Sequence, residues 1–166
     1  MLRSPLCLVK PGKDRLPPHQ NRHVMRKPDT CAPCPMYQEG DGFVPDQLVE
    51  GARVFVLMQN PGEEEERCGV PAVGKTGQLM NDQFLPAAGL HRQDVCVGNV
   101  LRCRWQHTNK LPPEGVLKPA IEHCRQYLVI PQSIELLVAQ GALAWRALGQ
   151  VSTISEWRGY VGPNLV

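Results

Sequence analysis

The sequence predicts an α/β fold with a parallel sheet, because short apolar runs alternate with helical patterns along the chain. Three runs are nearly continuous in apolar residues, as in strands buried on both faces, and they span 53–58, 94–99 and 134–139. Helical spacing follows each run, over 76–88, 117–129 and 142–148. Strands joined in this way run parallel through right-handed crossovers, so we expect one parallel sheet.

The carboxyl ends of these strands are the expected place for a ligand site. In parallel sheets, ligands bind outside the carboxyl edge, where the connections diverge. That rule directs attention to the residues that follow Met58, Val97 and Ala139. Two of these segments carry an asparagine, Asn60 and Asn99, whose amide can both donate and accept a hydrogen bond.

Length and composition bound the class of protein. The chain has 166 residues, which suits one domain with a short tail and excludes a multidomain assembly. With 42% hydrophobic and 20% charged residues, it is close to the globular average, which excludes disorder throughout. No apolar run reaches the ~18 residues that a membrane-spanning helix needs, and no export signal opens the chain. We therefore expect a cytoplasmic monomer without membrane association.

Residues 1–30 form a basic, proline-rich arm that precedes the domain proper, which we place at 31–166. The arm has seven Lys or Arg residues against two Asp and lacks a periodic apolar pattern. Basic arms commonly contact phosphates, which makes Arg22, Arg26 and Lys27 candidate phosphate contacts. A solvated tail without such a role is the alternative.

Seven cysteines in a chain of this length favour metal ligation over disulfides when no export signal is present. Cys31 and Cys34 form a C-x-x-C clip, and Cys103 and Cys124 stand singly further along the chain. Four thiolates suit either a tetrahedral zinc ion or a [4Fe-4S] cluster. Zinc sites usually pair two short clips, so the isolated third and fourth cysteines favour the cluster.

Residues 69–76 match the phosphate-loop pattern G-x-x-x-x-G-K-[ST] and open a predicted helix. Alone, the match would predict a P-loop nucleotidase. Ten residues separate Met58 from Gly69, however, and four consecutive glutamates at 63–66 would repel a triphosphate. The nucleotidase is therefore the weaker alternative.

Several motifs occur together in one order, namely Cys31-x-x-Cys34, Gln59-Asn60-Pro61-Gly62-Glu63-Glu64-Glu65, Gly69-x-Pro71-x-Val73-Gly74-Lys75-x-Gly77-x-Leu79, Ala88-Gly89-Leu90, Asn99-Val100-x-x-Cys103-Arg104 and Cys124. In this combination the chain resembles the iron-sulfur uracil-DNA glycosylases, family four of their superfamily. The resemblance implies a three-layer α/β/α sandwich with a short, mostly parallel central sheet. It also implies a bacterial, archaeal or phage protein that removes uracil from DNA in base excision repair and holds a [4Fe-4S] cluster through the four cysteines.

The resemblance also implies roles for residues after the first strand. Gln59, Asn60 and Gly62 fall in the family's first active-site motif, with Asn60 orienting the attacking water and Gly62 close to the base. The iron-sulfur branch usually has Gly-Glu-Ala where this chain has Met58-Gln59-Asn60, and Asn60 is similar to the asparagine of the mismatch-specific branch. Glu65 corresponds to an acidic position that orients water or a neighbouring side chain.

The base pocket and the DNA contact are implied in the same way. Asn99 matches the residue that reads the uracil edge, and Ala72 stands where the family has an aromatic side chain that stacks on the base. Lys75, in the loop that contains Ala72, is a further candidate DNA contact.

The family's second motif, a His-Pro pair, is expected after Trp157-Arg158-Gly159 and a further strand. None of the five histidines is followed by proline. The resemblance therefore implies a fragment or a shortened homologue that lacks the C-terminal strand and this motif. A catalytically silent nucleic-acid-binding module of the same fold is the alternative function.

Overall fold

A computed structural model describes residues 25–149 of the chain. Within that range the strands are, in chain order, β1 Gly40–Asp41, β2 Val54–Met58, β3 Val95–Asn99, β4 Arg104–Trp105 and β5 Leu136–Ala139. The α-helices are α1 Glu63–Cys68, α2 Lys75–Leu79, α3 Leu85–Ala87, α4 Glu114–Cys124 and α5 Ala142–Ala147. A π-turn over Met80–Phe84 joins α2 to α3, and 3-10 turns lie at Asp29–Cys31, Arg92–Asp94 and Arg125–Tyr127.

The central sheet has three parallel strands in the order β3-β2-β5, with β2 in the middle. The predicted parallel sheet is thus confirmed, and each strand begins within two residues of its predicted start. The register places Met58 beside Asn99 and Leu57 beside Ala139. The carboxyl ends of the three strands therefore lie at one edge of the sheet, as the parallel arrangement requires.

Alternating residues of β2 bury the two faces of the sheet in separate apolar clusters. Phe55 and Leu57 pack on one face with Leu117 and Ala120 of α4 and Leu143 of α5. On the opposite face, β2 and β3 pack against the α2–α3 segment through a cluster of Val56, Ala72, Met80, Leu85, Val95 and Val97. Full burial of such a side chain stabilises the fold by roughly 1.5–3 kcal/mol. Helices thus cover both faces, and the three-layer α/β/α sandwich is confirmed.

Helix α4 differs most from the sequence-based prediction. It begins at Glu114, three residues before the predicted start, because Pro113 has the fixed φ of about −56° that suits the position just before a helix. It ends at Cys124, after which a 3-10 turn replaces the predicted continuation to residue 129. Its buried residues Leu117, Ala120 and Cys124 recur at helical spacing, so one face of α4 carries both core residues and a cysteine.

A small antiparallel ribbon joins the segment after the C-x-x-C clip to the segment after β3. It pairs Gly40 of β1 with Trp105 of β4. Gly40 is needed there because a Cβ atom would lie 2.8 Å from the Met36 carbonyl oxygen and 3.1 Å from the Cys103 Cβ. The ribbon thereby brings Cys103 towards the Cys31–Cys34 turn.

Predictions that concern the arm up to residue 24, Arg22 included, and those that concern the C-terminal segment from residue 150 lie outside the described residues. Arg26 and Lys27 fall within them. In the part of the chain that the structure describes, no helix is long and apolar enough to cross a membrane.

The close contact between α2 and the loop before it predicts a strict requirement for glycine at position 77. A Cβ atom there would lie 1.9 Å from the Ala72 carbonyl oxygen. We expect Gly77→Ala to lower the free energy of unfolding by about 3 kcal/mol or more, through overpacking against backbone. The matched control is Gly115→Ala in α4, where nothing lies within 4 Å, and it should raise stability by about 0.5–1 kcal/mol. Urea unfolding measures both, and equal effects at the two positions would contradict the packing.

Candidate functional site

The candidate active site is the edge of the sheet where β2 and β3 end side by side. The two chains remain hydrogen-bonded beyond the strands, with the Val100 N–H donating to the Met58 carbonyl at 2.9 Å and the Leu101 N–H donating to the Gln59 carbonyl at 3.0 Å. The backbone that carries Gln59 and Asn60 is therefore fixed against the backbone that carries Asn99.

Asn99 is the least exposed polar residue of this edge. It is 2% exposed, and its Nδ2 has no hydrogen-bond partner among the described residues. A buried donor without a partner costs about 1–3 kcal/mol, so its retention calls for a reason. The Nδ2 group therefore keeps an unused donor at the end of β3, among the residues that the structure describes.

The side chains of Asn60 and Gln59 take different directions after β2. The Asn60 Nδ2 donates to the Pro61 carbonyl at 3.1 Å, which holds its half-buried amide against the backbone of the edge. Gln59 extends towards the turn between β5 and α5. A Cβ atom at Gly141, where φ is +98°, would lie 2.9 Å from the Gln59 Nε2.

The carboxylate of Glu65 accepts three backbone hydrogen bonds. The Gly62 N–H donates to Oε2 at 3.0 Å, and the Val73 and Gly74 N–H groups donate to Oε1 at 2.9 and 2.6 Å. Gly62 and Glu65 together cap the start of α1. Glu65 therefore holds the loop at 69–74 against the segment that follows Asn60, and this contact to loop backbone was not foreseen from the sequence.

These contacts argue against the phosphate-loop interpretation of residues 69–76. A phosphate loop follows a strand and directs its N–H groups at the anion. Here Gly69 ends helix α1, with φ at +67°, and the Val73 and Gly74 N–H groups already donate to the carboxylate of Glu65. The nucleotidase alternative is therefore not supported.

Ala72 and Lys75 lie on opposite sides of this loop. Ala72 is 2% exposed, has a φ of +55°, and packs in the apolar cluster beneath the sheet. Lys75 is exposed at the first position of α2.

Arg92 links this loop to the segment before β2. Its Nη2 donates to the Pro71 carbonyl at 3.0 Å and to the Gln47 Oε1 at 2.7 Å. Burial lowers the pKa of Arg92 to about 10, so it remains a cation at neutral pH.

The four predicted cysteines line one pocket, next to the sheet and below α4. The pocket is lined by Cys31, Cys34, Cys103 and Cys124 with Lys27, Met36, Tyr37, Phe43 and Arg102. Cys103 and Cys124 are 8% and 6% exposed. Cys31 and Cys124 are 93 positions apart in the sequence. The 3-10 turn at Asp29–Cys31, the ribbon and α4 bring the cysteines to the same cavity.

Burial is the main influence on the acidity of the thiols that line this pocket. Burial raises the pKa of Cys103 to about 12 and that of Cys124 to about 11, and neighbouring cysteines add to both shifts. The pKa of Cys34 is raised by burial as well. Binding of a metal to such thiols displaces their protons. Among residues 25–149, no group of three or more cysteine, histidine or acidic side chains lies close enough together to hold a metal ion.

Two of the proposed DNA-contacting residues lie in the described part of the arm, and they differ. Arg26 is exposed and pairs with Asp29 at 3.4 Å. Lys27 is half-buried, and its Nζ donates to the carbonyl oxygens of Met36, Tyr37 and Gly40, at 3.4 Å to Met36 and 2.6 Å to Tyr37. The Lys27 ammonium therefore stabilises the loop beside the cysteine pocket, and only Arg26 of the two has its side chain at the surface.

Two arginines flank Cys103, and no role was predicted for either. Arg104 is 8% exposed and donates to the Glu66 carboxylate at 3.1 Å and to the Asn109 Oδ1 at 3.2 Å, which ties the Cys103 segment to α1. Arg102 is 1% exposed and pairs with Asp46. A buried arginine beside a predicted ligand is a weak signal, because a sequence does not show which arginines are buried.

Comparison with known proteins identifies the family of this fold and site. A family model described as the uracil DNA glycosylase superfamily matches residues 45–163, which is well over half of the chain. The chain belongs to the uracil DNA glycosylase superfamily. The match contains β2, β3, α4 and β5, and so both Asn60 and Asn99.

Similar curated proteins belong to the iron-sulfur branch that the motifs indicated. A type-4 uracil-DNA glycosylase of Archaeoglobus fulgidus is 33% identical over 106 residues, which cover 64% of this chain and 50% of that protein. The enzyme of Thermotoga maritima is 26% identical over 136 residues, 82% of this chain and 70% of that protein. The enzyme of Pyrobaculum aerophilum is 31% identical over 134 residues, 78% and 63% respectively. The family-four resemblance is confirmed, and the chain spans half to 70% of the length of these relatives.

The contacts of Glu65 predict a stability effect at this superfamily site. We expect Glu65→Gln to lower the free energy of unfolding by about 1.5–3 kcal/mol, because a glutamine NH2 group would face a backbone N–H donor. Glu63→Gln is the matched control on the same helix, since the Glu63 side chain is 73% exposed, and it should change stability by less than about 0.5 kcal/mol. Chemical denaturation compares the two variants. A Glu65 variant as stable as the control would contradict the three backbone bonds.

Proposed function

We propose that this chain hydrolyses the N-glycosidic bond of uracil, or of a related deaminated base, in DNA as a step of base excision repair. Membership of the superfamily and the similar type-4 uracil-DNA glycosylases support the proposal. The observation that carries it is the buried, unpartnered Nδ2 of Asn99 beside the Asn60 segment. In this proposal the protein acts as a monomer inside the cell, where its DNA substrate lies.

Asn99 reads the base in this proposal. An enzyme that acts on a base must first extrude it from the helix into a pocket. Uracil presents a carbonyl oxygen beside an N–H group on its pairing edge, whereas cytosine presents an amino group beside a ring acceptor. The Asn99 amide, with Nδ2 towards the carbonyl, matches the pattern of uracil and would set two donors against each other with cytosine.

Asn60 positions the attacking water. An amide does not act as a general base near neutral pH, so its contribution is orientation of the water towards the sugar carbon as that carbon gains positive charge. Its contact with the Pro61 carbonyl favours one side-chain orientation. Gln59 and Gly62 belong to the same segment, and Glu65 acts through the loop backbone that it holds.

The four cysteines hold a [4Fe-4S] cluster in this proposal, with zinc as the alternative. Zinc sites usually pair two short clips, whereas two of the four cysteines that line the pocket stand singly along the chain, and a cluster takes one thiolate at each iron. The bound group would cross-link the N-terminal turn, the segment after β3 and α4. Its contribution is structural, and no step of the hydrolysis passes through it.

DNA contacts are assigned to basic side chains of the N-terminal arm and of the segment that begins α2. Lys75 and Arg26 are exposed, and Arg22 stands in the same basic arm. Each phosphate contact contributes to the salt dependence of DNA binding. Lys27 is a weaker candidate than the sequence suggested, because its ammonium already donates to backbone carbonyls.

The cluster assignment predicts a coloured protein with about four iron atoms per chain after anaerobic purification. Cys124→Ser should lower the iron content and the visible absorbance, because one thiolate of the pocket is lost. Cys96→Ser is the matched control, since Cys96 is a fully buried thiol outside the pocket. One zinc ion per chain, or equal iron loss in both variants, would contradict the assignment.

The glycosylase proposal predicts that a duplex with one uracil gains an alkali-labile abasic site on incubation with the chain. Asn60→Ala should lower the single-turnover rate by about 10²-fold with little change in DNA affinity, because the water is positioned mainly in the transition state. Asn99→Ala should narrow the preference for uracil over cytosine. Lys118→Ala is the control, because that exposed residue lies on α4.

A chain that binds the duplex and leaves it intact under all conditions would contradict the glycosylase proposal. That result would favour a nucleic-acid-binding module of the same fold.

A further inference from the structure

A buried ion pair lies between the candidate active site and the cysteine pocket. The Arg102 and Asp46 side chains are 1% and 5% exposed. Both guanidinium ends of Arg102 donate to the Asp46 carboxylate, Nη1 to Oδ1 and Nη2 to Oδ2, the latter at 2.7 Å, and Nη2 also donates to the Tyr127 carbonyl at 2.9 Å. A buried pair of this kind often stabilises no more than apolar residues would, so stability alone does not account for it.

The carboxylate of Asp46 lies directly on the backbone at the end of β3. A Cβ atom at Gly98 would lie 1.9 Å from the Asp46 Oδ1, so only glycine leaves room for the carboxylate there. Asp46 therefore holds the backbone of Gly98, the residue directly before Asn99, by close packing.

The orientation of the Asn99 side chain depends on the position of its backbone more than that of a typical buried amide does. Its Nδ2 has no partner among the described residues, so that end of the side chain is not held by a hydrogen bond of its own. The direction of the Nδ2 is then set by the backbone at 98–99 and by packing. Any shift of that backbone moves the donor that faces the base.

Arg102 extends the anchor to the cysteine pocket. It lines the pocket together with Cys124 and directly precedes Cys103 in the chain. The sequence Asn99–Cys103 thus contains the base-reading amide, the buried arginine and one cysteine within five residues. Burial raises the pKa of Asp46, and the Arg102 guanidinium opposes that rise and favours the ionised carboxylate.

We propose that Asp46 is a positioning residue for Asn99, and that Arg102 couples this anchor to the cysteine pocket. Asp46 touches no substrate, and it sets base preference through the backbone that it holds. The inference rests on the proposed function, in which Asn99 reads uracil. It deepens that function by naming the group on which the orientation of Asn99 depends.

The test is Asp46→Asn in the full chain. The asparagine has the shape of aspartate, but both carboxylate oxygens accept from Arg102, so its NH2 group would face a guanidinium N–H donor. We expect kcat on uracil-containing duplex to fall by about 10–100-fold, the range typical of residues that orient a functional group, with a smaller change in KM. The preference for uracil over cytosine should narrow, and amide hydrogen exchange in the peptide 95–101 should become faster.

Val44→Ala is the matched control for stability. Val44 is fully buried on the same segment, and its N–H donates to the Arg102 carbonyl, so the variant loses packing without altering the carboxylate. The Val44 variant should leave kcat, KM and the preference for uracil over cytosine unchanged. If Val44→Ala lowers the free energy of unfolding but leaves the preference for uracil over cytosine unchanged, then a narrower preference in Asp46→Asn reports the positioning of Asn99 and not a general loss of structure.

A second variant covers the case in which Asp46→Asn does not fold. The double change Asp46→Leu with Arg102→Met removes both charges together, and such replacements of buried pairs are often neutral or stabilising. The folded double variant should show the same loss of base preference and the same faster exchange at 95–101. Its metal content, measured in parallel, reports whether the pocket is intact.

The outcomes separate the inference from the proposed function. Wild-type kcat, preference and exchange in a folded Asp46 variant would overturn the inference and leave the glycosylase proposal standing. If the unmodified chain cleaves no uracil-containing duplex, the proposed function fails. In that case, hydrogen exchange at 95–101 in the Asp46 variant still decides whether Asp46 holds Asn99.

Discussion

The parallel pairing of β2 with β3 is the constraint on which the rest of the structure depends. It sets Met58 beside Asn99, and two further backbone hydrogen bonds keep the chains together as far as Leu101. Because both strands end at the same edge, the Asn60 segment and Asn99 become neighbours through their backbones. Apolar burial on both faces of β2 fixes the register, since a slip of one residue would move every side chain to the wrong face.

The same constraint joins the candidate active site to the cysteine pocket. The five residues from Asn99 to Cys103 leave the sheet as one segment, so the position of the cysteine follows from the position of Asn99. Buried polar contacts then fix this segment on its two sides, through Arg102 and Asp46 on one and through Arg104 and Glu66 on the other. A structural change in the cysteine pocket would therefore be transmitted to the edge of the sheet through these polar contacts as well as through the apolar core.

Much of this arrangement can be predicted from the sequence, because its signals are local. Continuous apolar runs predicted the strands, and the rule for parallel sheets predicted that Asn60 and Asn99 lie at the same edge. Long-range polar contacts could not be predicted in the same way. Asp46 and Arg102 are 56 residues apart and belong to no motif, and the carboxylate of Glu65 meets backbone N–H groups that only the folded loop brings to it. Lys27 looked like a phosphate contact because composition does not show that an ammonium already has carbonyl acceptors.

The central claim is that one site at the ends of β2 and β3 receives an extruded base. A crystal structure of the chain with a duplex that carries a non-hydrolysable deoxyuridine analogue tests it most directly. The account predicts that the base lies at this edge, with its carbonyl oxygen within hydrogen-bond distance of the Asn99 Nδ2 and its sugar beside Asn60. A base that remains stacked in the duplex, or one that binds away from Asn99, would contradict it.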